Sequence, residues 1–193
     1  MSAPQRFDLR VIVPQPWKNG AGLTREIAFA GVSAAAFDWR VSVAEVDRAA
    51  PFSAFVGIDR SITLLSGAGM RLRSHDGAID HALTTTLAPF QFPGDVALAA
   101  TLVGGACTDF NVMTRRGEWR SDVQVHRGPA TIAEADALLL LCCSGTWLAG
   151  DDAQPIGADE GVLWRSATSA LPIRPTAANA AMLTVRLCHD RHP

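Results

Sequence analysis

The chain has 193 residues, a formal net charge of −2 and an isoelectric point near 6.2, so neither nucleic acid nor an anionic membrane is expected as a partner. That length buries roughly two thirds of the unfolded surface without help from disulfides or metal. The four cysteines include the adjacent pair Cys142 and Cys143 and show no C-x-x-C spacing. They read as free thiols of a reducing cytoplasm rather than as a disulfide framework or a zinc ribbon.

The start of the chain lacks the apolar region of a signal peptide, and the longest apolar run, around Leu138 to Cys143, is too short for a bilayer. Pro16 to Ile27 crowds Lys18, Asn19, Thr24, Arg25 and Glu26 around Gly20 and Gly22 beside Trp17. The segment reads either as a solvated turn entering a strand or as a pocket wall. Ser33 to Ala36 suits a short turn of helix. From Trp39 to Val46 the alternation sets Trp39, Val41, Val43 and Glu45 on one face and Arg40, Ser42, Ala44 and Val46 on the other, as in a two-sided strand of a barrel. Pro51-Phe52-Ser53-Ala54-Phe55 repeats the mixture of polar and aromatic groups.

Ser61 to Leu65 and Met70 to Arg73 flank Ser66-Gly67-Ala68-Gly69, a hairpin signal. Pro93-Gly94-Asp95 marks a turn before Val96 to Ala99, and Gly104-Gly105 stops that run before Phe110 to Met113. Thr131-Ile132-Ala133-Glu134 has the form of a capping box ahead of Ala135 to Leu141, although a strand can also absorb that leucine run. Strands and Gly/Asp turns then follow in the order already seen in the first half, ending in Met182 to Leu187, which suggests duplicated β units. Short strands joined by Gly and Pro turns predict an all-β sandwich or barrel with few short helices.

Several familiar chemistries lack their signatures. Gly20-Ala21-Gly22 begins like a dinucleotide loop, but Arg25 stands where the third glycine belongs. No Walker motif or nucleophile elbow occurs. None of His75, His81, His126, His189 and His192 pairs with another histidine and a carboxylate on one strand, and His189 to His192 reads as a tail. No metal site and no cofactor are expected.

What remains suits a pocket for a small anion. Lys18, Arg25 and Arg40 can neutralise a carboxylate, the arginines with a directional fork. Asn19 and Asn111 offer both donor and acceptor to an amide, formyl or imino end, and Trp17, Trp39, Phe52 and Phe55 supply apolar walls. Each has a structural alternative. Arg25 and Glu26 can pair with surface charges, Arg40 with Asp38 or Glu45, Asn111 can satisfy backbone at a bulge, and Trp39 can be core. Ser42 and Ser53 default to cross-strand hydrogen bonds.

The segments PWKNGAGLTREIA, FDWRVSVAEVDRAAPFSAFVGIDRSITLLSGAGM, FPGDV and DFNVMTRR resemble the HutD/Ves family, densely from Val13 to Arg116 and by strand order beyond it. Its motif residues fall here on Trp17, Lys18, Asn19, Gly20, Thr24, Arg25, Glu26, Trp39, Arg40, Ser42, Phe52, Ser53, Asp109, Asn111 and Met113. Ala21 stands where many members have glycine. The resemblance implies a bicupin, a double cupin-like barrel without the histidine-rich metal motif. It also implies an accessory or regulatory role linked to histidine utilisation in some members and to stress response in others.

Combined with the strand pattern, this divides the chain into an N-terminal barrel, 1–120, carrying the motifs, and a C-terminal barrel, 121–193, with exchange of strands between them open. The expected function is non-catalytic binding of a small carboxylate of the urocanate or formyl- and formimino-glutamate class in the cytoplasm, with a homodimer open. The first alternative is a metal-independent enzyme on such an acid with Glu26, Glu45 or Asp109 as general base. The second is a structural partner that binds protein through exposed strand edges.

Overall fold

The structure, a computed structural model, describes residues 2–17, 19–150 and 154–190. Every regular element among them is a strand. The first group comprises β1 (Gln5–Asp8), β2 (Gln15–Pro16), β3 (Gly22–Ser33), β4 (Ala36–Val46), β5 (Ala50–Phe52), β6 (Ile58–Ser66), β7 (Met70–Ser74), β8 (Asp80–Leu83), β9 (Pro89–Pro93), β10 (Leu98–Leu102) and β11 (Cys107–Arg115). The second comprises β12 (Trp119–His126), β13 (Ala130–Ile132), β14 (Ala137–Ser144), β15 (Thr146–Ala149), β16 (Ile156–Gly157), β17 (Glu160–Trp164), β18 (Leu171–Pro175) and β19 (Ala181–His189). Among the described residues no helix is long and apolar enough to cross a membrane.

The chain divides into two compact units, Val13–Trp119 and Met1–Ile12 with Arg120–Pro193. The first holds sheets in the orders β2-β3-β4-β11-β6-β9 and β5-β10-β7-β8; the second holds β1-β17-β14-β19-β12 and β13-β18-β15-β16. Shifting each strand number by eight turns β4-β11-β6-β9 into β12-β19-β14-β17 and β5-β10-β7-β8 into β13-β18-β15-β16. The same strand order therefore occurs twice, and β2, β3 and β1 are additions at sheet edges.

The two interiors differ. In the second unit Leu138, Leu140, Cys142, Trp147, Trp164 and Met182 belong to one buried apolar cluster, each large side chain contributing roughly 1.5–3 kcal/mol by its burial. In the first unit Phe52, Ile62, Leu64, Met70, Leu72 and Phe92 do the same, but β11 also carries the buried polar residues Asp109 and Asn111, and β6 the buried Arg60.

Three expectations are corrected and one open alternative is resolved. Of the two readings left open after Thr131, helix and strand, the helix is the one set aside. Ala130–Ile132 and Ala137–Ser144 are strands, and Leu138 to Leu141 are buried at every position, as in a strand covered on both faces. Nor does a helical turn form at Ser33 to Ala36. There the Ser33 hydroxyl accepts from the backbone N–H groups of Ala35 and Ala36 at 3.3 and 3.1 Å and braces a tight turn between β3 and β4.

The hairpin at Ser66 to Gly69 also fails to appear. β6 lies between β11 and β9, whereas β7 lies between β10 and β8, so the turn carries the chain from one sheet to the other. Gly69 has φ +86°, and any Cβ there would overlap the carbonyl oxygen of Leu83. Finally, residues 1–12 belong with the second unit rather than the first, because β1 pairs antiparallel with β17 and sets Phe7 opposite Gly161.

Candidate functional site

In the first unit β3, β4, β11 and β6 run side by side, and their registers align the residues of one face in rows. Arg40, Met113 and Arg60 are cross-strand neighbours, as are Ser42, Asn111 and Ile62, and Ala44, Asp109 and Leu64. Glu26 lies opposite Ser42 and Thr24 opposite Ala44. The period of two along each strand therefore concentrates polar groups from four segments on one floor.

Above this floor opens a cavity of about 580 Å³, within the ~300–1,000 Å³ typical of small-molecule pockets. Arg40, Ser42, Ala44, Arg60, Asn111 and Met113 form its base. Gln15, Pro16, Trp17, Asn19 and Thr24 line one side, and Pro51, Phe52, Ser53 and Phe55 the other.

Trp17 is fixed from two directions. Its Nε1 donates to Thr24 Oγ1 at 2.7 Å, and its ring meets Phe52 edge to face, with centroids 6.0 Å apart and an interplanar angle of 88°. Gly22 permits this, since a Cβ there would overlap the Glu45 carbonyl oxygen and press on the indole at 3.3 Å. Asn19 Oδ1 accepts from the Ala21 N–H at 3.1 Å, closing the loop that carries Trp17.

Arg60 is the least ordinary residue of the site. It is buried, with its guanidinium carbon 5.1 Å from the Phe92 ring, 5.4 Å from Phe52 and 5.6 Å from Phe55, an aromatic cage that stabilises a desolvated cation. Its Nη2 donates to Asn111 Oδ1 at 2.8 Å, and Asn111 Nδ2 donates in turn to Asp109 Oδ1. Among the described residues Arg60 Nε and Asp109 Oδ2 have no hydrogen-bond partner. Burial pulls the guanidinium down to about 10, with Asp109 opposing and Arg40 reinforcing that effect. Burial likewise pushes the Asp109 carboxyl up to about 7, against the pull of Arg60 and the Asn111 hydrogen bond. Arg40 donates from Nε to Glu26 Oε2 at 2.9 Å.

The structure thus brings Trp17, Asn19, Thr24, Arg40, Ser42, Phe52, Ser53, Asn111 and Met113 to one cavity. Other sequence candidates lie elsewhere. Arg25 forms an ion pair with Glu45. Glu26 holds Arg40 and does not itself line the wall. Trp39 is a buried residue absent from that wall, because it alternates with Arg40. Asp109 lies below the lining, bonded to Asn111. Asn111 uses Oδ1 on Arg60 and an N–H on Asp109, so the free amide expected to read a ligand is largely engaged within the protein. Lys18 and His192 lie outside the described residues.

Sequence reasoning missed Arg60, along with Gln15, Pro16, Ala44 and Pro51. Arg60 had a usable signal. It stands two residues before Ile62 and four before Leu64, so period-two alternation places its charge on the same inward face as Ile58, Ile62 and Leu64.

A second concavity, of about 440 Å³ in the other unit, is lined by Arg120, Glu134, Asp136, Arg186, Cys188 and His189 among others. Its charges are of both signs and it has no aromatic wall. Among the described residues no group of three or more His, Cys, Asp or Glu side chains is placed to hold a metal ion.

Known proteins share this architecture. The sequence model of the HutD family matches residues 10–183. The chain is 36% identical to protein Ves of Citrobacter koseri over 82% of its own length and 81% of that protein. Among solved structures, a conserved protein from Pseudomonas aeruginosa superposes with a TM-score of 0.86 at 32% identity, covering 97% of this chain and all of the other. HutD from Pseudomonas fluorescens, in a formate condition, gives 0.85 at 27% identity, covering 98% and 100%. A cupin 2 barrel protein from Leptotrichia buccalis, 10% identical over 94% of this chain and 95% of that one, gives 0.60 and supports a cupin-like fold alone. By its sequence along most of its length, the chain belongs to the HutD/Ves family.

Proposed function

We propose that this protein is a non-catalytic binding protein built from two cupin-like units, and that its first unit holds a small carboxylate of the class formed in histidine breakdown, such as urocanate or a formyl- or formimino-glutamate. The observation that carries this reading is the convergence of Arg40 and Arg60 on one aromatic-walled cavity. An arginine that uses only Nε against a protein carboxylate, as Arg40 does against Glu26, retains terminal N–H groups for a two-pronged hold on an anion. Trp17, Phe52 and Phe55 suit a short planar or aliphatic stem, and the loop of Trp17 and Asn19 suits its polar end. The formate condition of the Pseudomonas fluorescens HutD structure makes formate a rational first probe.

Thermal-shift and calorimetric titration with formate, N-formylglutamate and urocanate test the proposal, with Arg40→Ala and Asn111→Ala as comparison proteins. Stabilisation of the wild type that is lost in Arg40→Ala is expected. No response to any of these acids would count decisively against it.

One observation favours a metal-independent enzyme instead. Asp109 is a buried carboxyl held near neutrality beside a cation, as a general base requires. Yet it reaches the cavity only through Asn111, which places it poorly for abstracting a substrate proton. Turnover of urocanate or N-formylglutamate by the pure protein, abolished by Asp109→Asn, would establish that alternative.

A further inference from the structure

The cavity carries more than a place for an anion; above neutral pH its charges are already balanced before one arrives. Among the described residues, two cations, Arg40 and Arg60, line its floor, and two carboxyls, Glu26 and Asp109, lie behind that lining. Each carboxyl is matched to one cation, Glu26 directly at 2.9 Å and Asp109 through the Asn111 amide. A ligand carboxylate entering this set adds a negative charge in a low-dielectric space, where uncompensated charge is costly.

The two carboxyls differ in their means of adapting. Glu26 is about a quarter exposed at its side chain and bonded straight to a guanidinium. Asp109 is fully buried, bonded through one oxygen to a neutral amide, with Oδ2 lacking a partner among the described residues. Its neighbours do not compete for a proton. On its own strand the Cys107 thiol is pushed up to about 11, on β4 and β6 the neighbouring charges are Arg40 and Arg60, and directly opposite it stand Ala44 and Leu64. Among the described residues no histidine lines the cavity.

We propose that the site takes up its carboxylate together with one proton, which Asp109 receives on Oδ2 as the ligand displaces it as the counter-ion of Arg60. The inference rests on the carboxylate-binding reading and adds its proton linkage. Balance is simple: one carboxylate and one hydron enter from solvent, an O–H bond forms at Asp109, and no other covalent bond changes. The net charge of the buried floor is the same before and after. Burial already pushes the Asp109 carboxyl up to about 7, and an anion seated nearby favours its protonated form further. By reciprocity, the proton then tightens the ligand as much as the ligand tightens the proton.

Calorimetric titration of N-formylglutamate into the full chain, in pairs of buffers with different ionisation heats at pH 5.5, 7, 8 and 9, reads this directly. Proton uptake should be small at pH 5.5, approach one per ligand near pH 8, and accompany an affinity that weakens by up to about tenfold per pH unit above neutrality. Asp109→Asn, which keeps the amide hydrogen bond possible, should remove both the uptake and the pH dependence. Binding without buffer dependence, or uptake that persists in Asp109→Asn, overturns the proton linkage while leaving the binding reading intact. Absence of binding at every pH overturns both.

Discussion

Replacing Asp109 by asparagine should make the empty protein more stable at neutral pH, although it removes half of a buried charge pair. The carboxyl is carried from its ordinary 3.8 to about 7, chiefly by burial. At 1.36 kcal/mol per unit of pKa, its ionised form costs folding roughly 4 kcal/mol. The sign follows from proton binding. Between pH 3.8 and about 7 the folded state holds a proton that the unfolded state has lost, so stability falls as pH rises through this window and levels off above it. Asparagine has no proton to lose and skips that decline. Urea denaturation of both proteins at pH 5, 6, 7 and 8 should show their stability difference moving in favour of Asp109→Asn by about 2–3 kcal/mol between pH 5 and 7, then holding constant. Parallel profiles across that range would refute the assignment of a near-neutral buried carboxyl to this position.

Arg60→Met should cost about 3–5 kcal/mol by leaving Asn111 and Asp109 without their cation, and less at pH 6 than at pH 8.5, where Asp109 must ionise alone; urea titration at the two pH values checks this. In Gly22→Ala the added methyl would collide with the Glu45 carbonyl oxygen and the Trp17 ring. That should lower stability by about 1–3 kcal/mol and weaken ligand binding further, as seen by parallel denaturation and calorimetry. Leu140→Ala, in the fully buried cluster of the second unit, should cost about 2–5 kcal/mol while leaving the affinity for the carboxylate within a few-fold of wild type.

The strand pattern was the most legible feature of the sequence, because period-two alternation and Gly/Pro turns report local backbone physics. The sequence placed Arg40, Ser42 and Ala44 on one strand face, and the structure shows that this is the face turned to the cavity. Sheet membership was less legible. The chain around Gly67 and Gly69 looks like any hairpin, and only the long-range pairings of β6 with β11 and β7 with β10 show that it crosses between sheets.

The same limit governed the site. Trp17, Asn19 and Thr24 announced themselves by clustering in sequence, whereas Arg60 is one charge on an inward face otherwise carrying Ile58, Ile62 and Leu64, set in a cage of rings from Phe52, Phe55 and Phe92 that lie up to 32 positions away. Leu138 to Leu141 show the converse case. A run of leucines carries no period when both faces are buried, so beside the capping pattern at Thr131 helix and strand both stayed open, and the strand is what forms.

The most direct measurement is a crystal structure of the protein with N-formylglutamate, at a pH between 6 and 7. A carboxylate seated within hydrogen-bond distance of both Arg40 and Arg60, with its stem against Trp17 and Phe52, is the result predicted here. A ligand bound outside this cavity, or one whose carboxylate faces away from both arginines, would contradict it.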